Sequence, residues 1–183
     1  MKLPVKLVEE PLPGVLVIKP HVFADQRGAF VKTFHEPTFE SRAWPLRWRE
    51  EFYSVSAKDV VRGMHFQTPP DDHDKLVYCV SGSVLDVVVD LRLSSPTFGR
   101  WASVPLVATD PLLVLIPIGV AHGFLSLENN SVMMYKTTSV HAPASDAGIR
   151  WDSFGFSWPV ASPLISDRDA ALPPLADFHS PFP

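Results

Sequence analysis

Around Arg62-Gly63-Met64-His65-Phe66-Gln67, a charged residue, an imidazole and an amide sit inside what otherwise reads as a buried β-strand. Side chains on a strand alternate between its two faces. His65 and Gln67 therefore share one face, and Met64 and Phe66 take the other. One face packs, which leaves the other to line a cavity. A second polar row follows in Lys75-Leu-Val-Tyr-Cys-Val-Ser-Gly-Ser-Val-Leu-Asp-Val-Val-Val-Asp-Leu-Arg92, two apolar runs broken at Ser81-Gly82, the signature of a hairpin. In its second half Leu85, Val87, Val89 and Leu91 fall on one face and Asp86, Val88, Asp90 and Arg92 on the other.

The same pattern recurs along the chain. Short β-rich segments separated by Pro, Gly, Asp and Ser are expected at residues 15–19, 28–34, 48–56, 59–67, 75–81, 83–92, 100–107, 111–117, 122–127 and 131–140. Even spacing without long amphipathic stretches predicts an all-β sandwich or barrel. A short helix fits only Pro37 to Ala43, with proline in its first turn. The proline-rich stretch from Leu172 to Pro183 cannot continue a sheet interior and is expected to run extended over the surface. No internal repeat or linker is visible, so residues 1–183 read as a single domain of a length that can bury a proper core.

Composition narrows the partners. A net charge of -4 gives no basic footprint for nucleic acid. No run approaches transmembrane length, and the stretch Met1 to Glu10 lacks the apolar core of a signal peptide, so no membrane association and a cytoplasmic location are expected. The single cysteine, Cys79, has no intrachain partner and lies in an apolar strand, where it is expected to act as a small hydrophobe.

Further motifs follow in order: Phe23-Ala-Asp25-Gln-Arg27-Gly28, Ser95-Pro-Thr-Phe-Gly99, Ala-His122-Gly-Phe124, Met134-Tyr135-Lys136 and Ser-Asp-Arg-Asp169. With RGMHFQ and Asp90-Leu-Arg92, and in this order and spacing, they make the chain from about Phe23 to Pro174 resemble the nucleotide-sugar 3,5-epimerases typified by dTDP-4-dehydrorhamnose 3,5-epimerase. The resemblance implies a cupin-type jelly roll with short peripheral helices, a nucleotide-sugar substrate, no cofactor, and a homodimer that exchanges N-terminal strands. The strand concerned here would contain Val15 to Ile18.

Epimerisation beside a ketone needs a base to remove a C–H proton, donors to stabilise the enolate oxygen, and an acid to return the proton on the opposite face. His65 suits the base, since an imidazole can ordinarily exchange protons near neutral pH, though a core histidine satisfied by hydrogen bonds reads the same way in sequence. The resemblance makes His65 the base, Asp169 the carboxylate that orients it, Tyr135 the acid and Lys75 a cation beside the C4 oxygen. From residue type alone, Asp169 is equally a turn residue with Asp167 as a rival, Tyr135 a packed strand tyrosine, and Lys75 a solvated strand-end lysine. Arg62 and His122 offer donors for a diphosphate. Asp90 and Arg92 are expected to pair structurally. Gln67 shares the face of His65 and joins the substrate-binding candidates, as do Phe23 and Arg27 from the first motif.

Three departures bear on the substrate. Where the dTDP-sugar enzymes carry a Gln-Asp-Asn-like run, this chain has Glu50-Glu51-Phe52, so Glu50 and Phe52 replace amides at candidate contacts. Where they usually carry glutamate it has Lys32. A lysine donor suits cytosine N3 better than thymine N3–H, which keeps a CDP-linked sugar open beside dTDP. Base stacking on Phe23 or Phe30, with Lys32 in solvent, is the plainer reading. Metal-binding cupins present two histidines one residue apart on a strand; neither His65 nor His122 has such a partner, so no metal is expected. A non-catalytic cupin that binds sugar nucleotides is the rival from another class, and it leaves His65, Tyr135, Lys75 and Asp169 together without a use.

Overall fold

The computed structural model describes residues 5–183. The start of the stretch tested for a signal peptide, Met1 to Pro4, lies outside the described residues. In chain order the strands are β1 (Val5–Leu12), β2 (Val15–Pro20), β3 (Val22–Asp25), β4 (Gly28–Val31), β5 (Glu50–Ser56), β6 (Val61–Gln67) and β7 (Lys75–Ser81). They continue with β8 (Ser83–Asp90), β9 (Trp101–Val107), β10 (Leu113–Ile116), β11 (Val120–Ser126), β12 (Ser131–Thr137) and β13 (Asp146–Gly148). Two short helices, α1 (Glu36–Glu40) and α2 (Asp167–Ala170), complete the regular structure with a 3-10 turn at Leu175–Asp177.

Two antiparallel sheets face each other, one ordered β1-β2-β10-β7-β12-β5 and the other β13-β6-β11-β8-β9, with β3-β4 as a separate hairpin. This is the all-β, cupin-type jelly roll. Between the sheets, Val77, Val114, Ile116 and Met133 pack against Val84, Val88, Val104, Leu106 and Phe124. The outer faces are covered as well. Phe39 of α1, with Phe34, Trp44 and Trp48, closes the six-stranded sheet over Ile18, Leu76 and Leu113. Ile149, Phe154, Trp158 and Phe182 close the other sheet over Met64, Phe66, Val87, Val89 and Leu91. Burial on both faces explains why β8 and β10 read as nearly continuous apolar runs.

Several expectations are corrected. Strand β1 went unseen because Lys6, Glu9, Glu10 and Pro11 break its apolar pattern: it is a sheet edge with a mostly exposed interior. Helix α1 starts at Glu36 and stops at Glu40, short of Ala43, and the Ser-Asp-Arg-Asp element is a capped helical turn, Ser166 Oγ accepting the Asp169 N–H. The proline-rich stretch does not merely lie on the surface, because Phe182 is buried against Phe66 and Ser180 Oγ donates to the Leu91 carbonyl. Strand β2, with Val15 to Ile18, pairs with β1 on one side and β10 on the other.

One close approach positions the site. Strands β6 and β11 run with a register shift between His122 and Phe124, and a Cβ on Gly63 would stand 2.5 Å from the Gly123 Cα. Only glycine pairs tolerate this contact, and Gly63 also holds φ 131°. The result sets His65 directly opposite His122.

Candidate active site

Met64 and Phe66 enter the outer core, so His65 and Gln67 point between the sheets, as the alternation predicts. There, a cavity of about 450 Å³ opens among β5, β6, β7, β11 and β12. Its wall includes His65, Lys75, Tyr135, Arg62, His122, Glu50, Phe52 and Gln67. All eight were candidates from the sequence.

Asp169 stands behind His65. Its Oδ1 lies 2.6 Å from His65 Nε2, while Oδ2 accepts the Gly63 amide at 3.1 Å. Burial alone would raise the pKa of this carboxyl, but the His65 hydrogen bond and charge and the Gly63 amide outweigh it and hold the pKa below the usual carboxylate value. An ionised carboxylate only accepts, so Nε2 carries a ring proton, and in the neutral form of the ring Nδ1 has the free lone pair. Asp167 does not share this contact, and the rivalry between the two acids is resolved by α2: its first turn presents Asp169, buried, to the strand.

Lys75 opens β7, and its Nζ donates to the His65 carbonyl at 2.9 Å. Burial lowers its pKa to about 8, opposed by the charges of Asp146 and Asp86. Tyr135 lies on β12 directly across from Phe52, with rings stacked at 4.7 Å and 11°. Its hydroxyl and that of Ser54 are 3.1 Å apart. Burial pushes the phenol well above its ordinary pKa, so it stays protonated. Arg62 donates from Nε to Ser56 Oγ and from Nη2 to the Val55 carbonyl, which anchors it beside β5.

Other candidates have partners of their own. His122 is buried with its Nε2 2.6 Å from Asp86 Oδ1. Gln67 spends its amide on two loops, donating to the Asp71 carbonyl and accepting the Ala142 N–H, each at 2.7 Å, so it tethers the wall. Phe23, Arg27 and Lys32 lie on or beside the β3-β4 hairpin and do not line the cavity of their own chain. Arg27 is exposed and pairs with Asp25, and Phe23 rests against His21 and Phe30. Asp90 and Arg92 pair as expected, the buried carboxylate also accepting from Ser95 and Thr97. Cys79 is buried in β7, and burial raises its thiol pKa.

Sequence reasoning missed Ser54, His73, Asp86, His141, Asp146 and Arg168. Asp86 was legible as an acid on the inward face of β8. Ser54 shares the inward row of β5 with Phe52, and Arg168 sits next to Asp169. His73 and His141 come from loops, where no periodicity marks a direction. His73 shares a hydrogen bond with Ser139 Oγ, and burial, with the charges of Lys75 and His141, lowers its pKa to about 3, so it is neutral. Among the described residues no three His, Cys, Asp or Glu side chains are grouped to hold a metal. No helix among them is long and apolar enough to cross a membrane.

The family model described as dTDP-4-dehydrorhamnose 3,5-epimerase matches residues 9–177. The dTDP-4-dehydrorhamnose 3,5-epimerase of Shigella flexneri is 40% identical over 166 residues, covering 89% of this chain and 92% of that protein. The structure of dTDP-6-deoxy-D-glucose-3,5-epimerase from Legionella pneumophila in complex with dTDP-4-keto-L-rhamnose superposes with a TM-score of 0.91 at 32% identity, over 96% of this chain and 95% of that one. A 3'-monoepimerase from Streptomyces bikiniensis in complex with dTDP-quinovose superposes with a TM-score of 0.86 at 34% identity, over 90% and 85%. By motif order, fold and these matches, the chain belongs to the dTDP-4-dehydrorhamnose 3,5-epimerase family.

Proposed function

We propose that this protein epimerises a dTDP-linked 4-keto-6-deoxyhexose, inverting C3, C5 or both by removing and returning a proton through an enolate. The observation that carries the reading is the His65–Asp169 pair at 2.6 Å, opening onto the same cavity as Lys75 and Tyr135. His65 Nδ1 takes the proton, and Asp169 fixes the tautomer and stabilises the imidazolium that forms. Lys75 supplies positive charge as the C4 oxygen becomes an enolate, a role that needs its ammonium form. Tyr135 returns a proton from the opposite face. Arg62 and His122 face the diphosphate, the guanidinium by charge and the imidazole through whatever donor capacity Asp86 leaves it.

The dTDP names of the relatives favour dTDP over the cytidine alternative that Lys32 raised. A homodimer is the assembly we infer, with the hairpin of Phe23, Phe30 and Lys32 meeting the partner, since it leaves Phe23 and Phe30 more than half exposed. We further infer a reaction without a metal, in which Lys75 holds the enolate charge, and a cytoplasmic location.

Solvent deuterium wash-in tests the chemistry. The natural protein incorporates deuterium at the inverted carbon. His65→Ala abolishes incorporation while dTDP binding, measured by calorimetry, stays within a few-fold. Normal wash-in by a folded His65→Ala protein would remove the base assignment.

A further inference from the structure

The inward row of β5 is Glu50, Phe52 and Ser54, and all three line the cavity. Phe52 is 45% exposed although one face of its ring is covered by Tyr135. A large apolar ring thus stands half bare on the wall that holds the proposed acid. Nothing in the proton transfer requires it. Ser54 already engages the phenol hydroxyl, and the neighbours available to a sugar hydroxyl on this cavity are polar: Arg62, Glu50, His73 and Thr137.

We propose that Phe52 is a specificity-determining residue that selects sugars deoxygenated at C6, an inference that rests on the epimerase reading above. The chemistry of the substrate makes the assignment. The two carbons that such an enzyme inverts lie beside the C4 ketone, and their substituents must lie beside the base and the acid. C3 carries a hydroxyl. C5 carries C6, a methyl in a 6-deoxy sugar and a hydroxymethyl otherwise. The methyl is the one apolar substituent at either centre, and the ring stacked on Tyr135 is the aromatic surface next to the acid. A methyl on that surface loses water favourably. A hydroxyl there is withdrawn from water with no partner on the ring to replace it. The same ring restrains Tyr135 from one side, so selection and acid placement share one contact.

The test compares kcat/KM for dTDP-4-keto-6-deoxyglucose with that for dTDP-4-ketoglucose, in the natural protein and in Phe52→Asn. The natural protein is expected to favour the 6-deoxy sugar by about 100-fold, the scale on which an apolar pocket sorts substrates that differ by one small group. Phe52→Asn is expected to bring the ratio below about tenfold, since an amide offers the hydroxyl a partner. Phe52→Leu keeps the apolar surface without the stack and is expected to keep the preference. It also serves as the deciding variant if Phe52→Asn does not fold. An unchanged ratio in folded Phe52→Asn, a ratio lost in Phe52→Leu, or a natural protein indifferent to C6 would overturn the proposal. If neither sugar is epimerised, the proposed function fails instead.

Discussion

Two histidine–carboxylate pairs sit side by side on β6 and β11, His65 with Asp169 and His122 with Asp86, each with Nε2 and Oδ1 2.6 Å apart. Their surroundings differ. The His65 side chain is 28% exposed, and its carboxylate has a second ligand in the Gly63 amide. The His122 side chain is 4% exposed, and Asp86 Oδ2 is buried with no hydrogen-bond partner among the described residues. Burial accordingly raises the pKa of Asp86 against the pull of His122 and Lys75, whereas Asp169 is held low. Identical contact geometry therefore yields a carboxylate held low beside an accessible imidazole in one place, and a closed pair whose carboxylate burial opposes in the other. Only the first can exchange protons with a substrate at little cost.

The sharpest way to break this contrast is Asp169→Asn. An amide presents a donor as readily as an acceptor to His65 Nε2 and can turn the ring proton toward the cavity, so proton exchange should fall by about a thousandfold or more. Deuterium wash-in measures the loss, and calorimetric titration with dTDP should show binding retained. A loss below tenfold would make the two pairs equivalent.

A smaller effect is expected from pH. Lys75 bridges the pairs, donating to the His65 carbonyl and lying in the field of Asp86. Its pKa of about 8 lies below the free value, so the ammonium is lost as pH rises through 8. About a tenth of Lys75 remains charged one unit higher, and kcat should fall about tenfold per unit on that limb. Tyr135 titrates too high to account for it. A flat kcat profile from pH 7 to 10 would show that the Lys75 charge is not used.

The smallest effect probes the closed pair. Asp86→Asn removes a negative charge that supports the Lys75 ammonium. The alkaline limb should move to lower pH, by less than about one unit, with kcat at pH 7 reduced only a few-fold. A limb that stays in place would uncouple Asp86 from Lys75; a loss as large as that of Asp169→Asn would give the buried pair a direct part in proton transfer.

Much of this contrast was visible before the structure. A strand with apolar Met64 and Phe66 between polar His65 and Gln67 must turn the polar residues away from the core, and it does. Asp90 and Arg92 could be paired because opposite charges two residues apart at a strand end lie within reach of each other. What period and spacing do not carry is contact between distant segments. Asp86 sat on the right face of β8, yet its partner could not be read, because His122 arrives on a distant strand, opposite Val88, and neither segment records that pairing. His73 and His141 project from loops, and Phe182 is buried within a proline-rich run whose composition reports only that it is not a strand. Gln67 was placed correctly, but its tie to two loops was not legible, since hydrogen bonds to loop backbone leave no trace in residue type.

Sequence separation sets an order of assembly. His122 and Asp86 are 36 residues apart, whereas His65 waits for an acid 104 residues further on. During synthesis the closed pair can form while α2 has yet to emerge, and the open pair cannot. A nascent chain that has emerged only through β12 thus carries its imidazole, lysine and phenol without the acid that orients the base. The longer loop closure comes last, and proton-exchange activity reports that the fold has been completed.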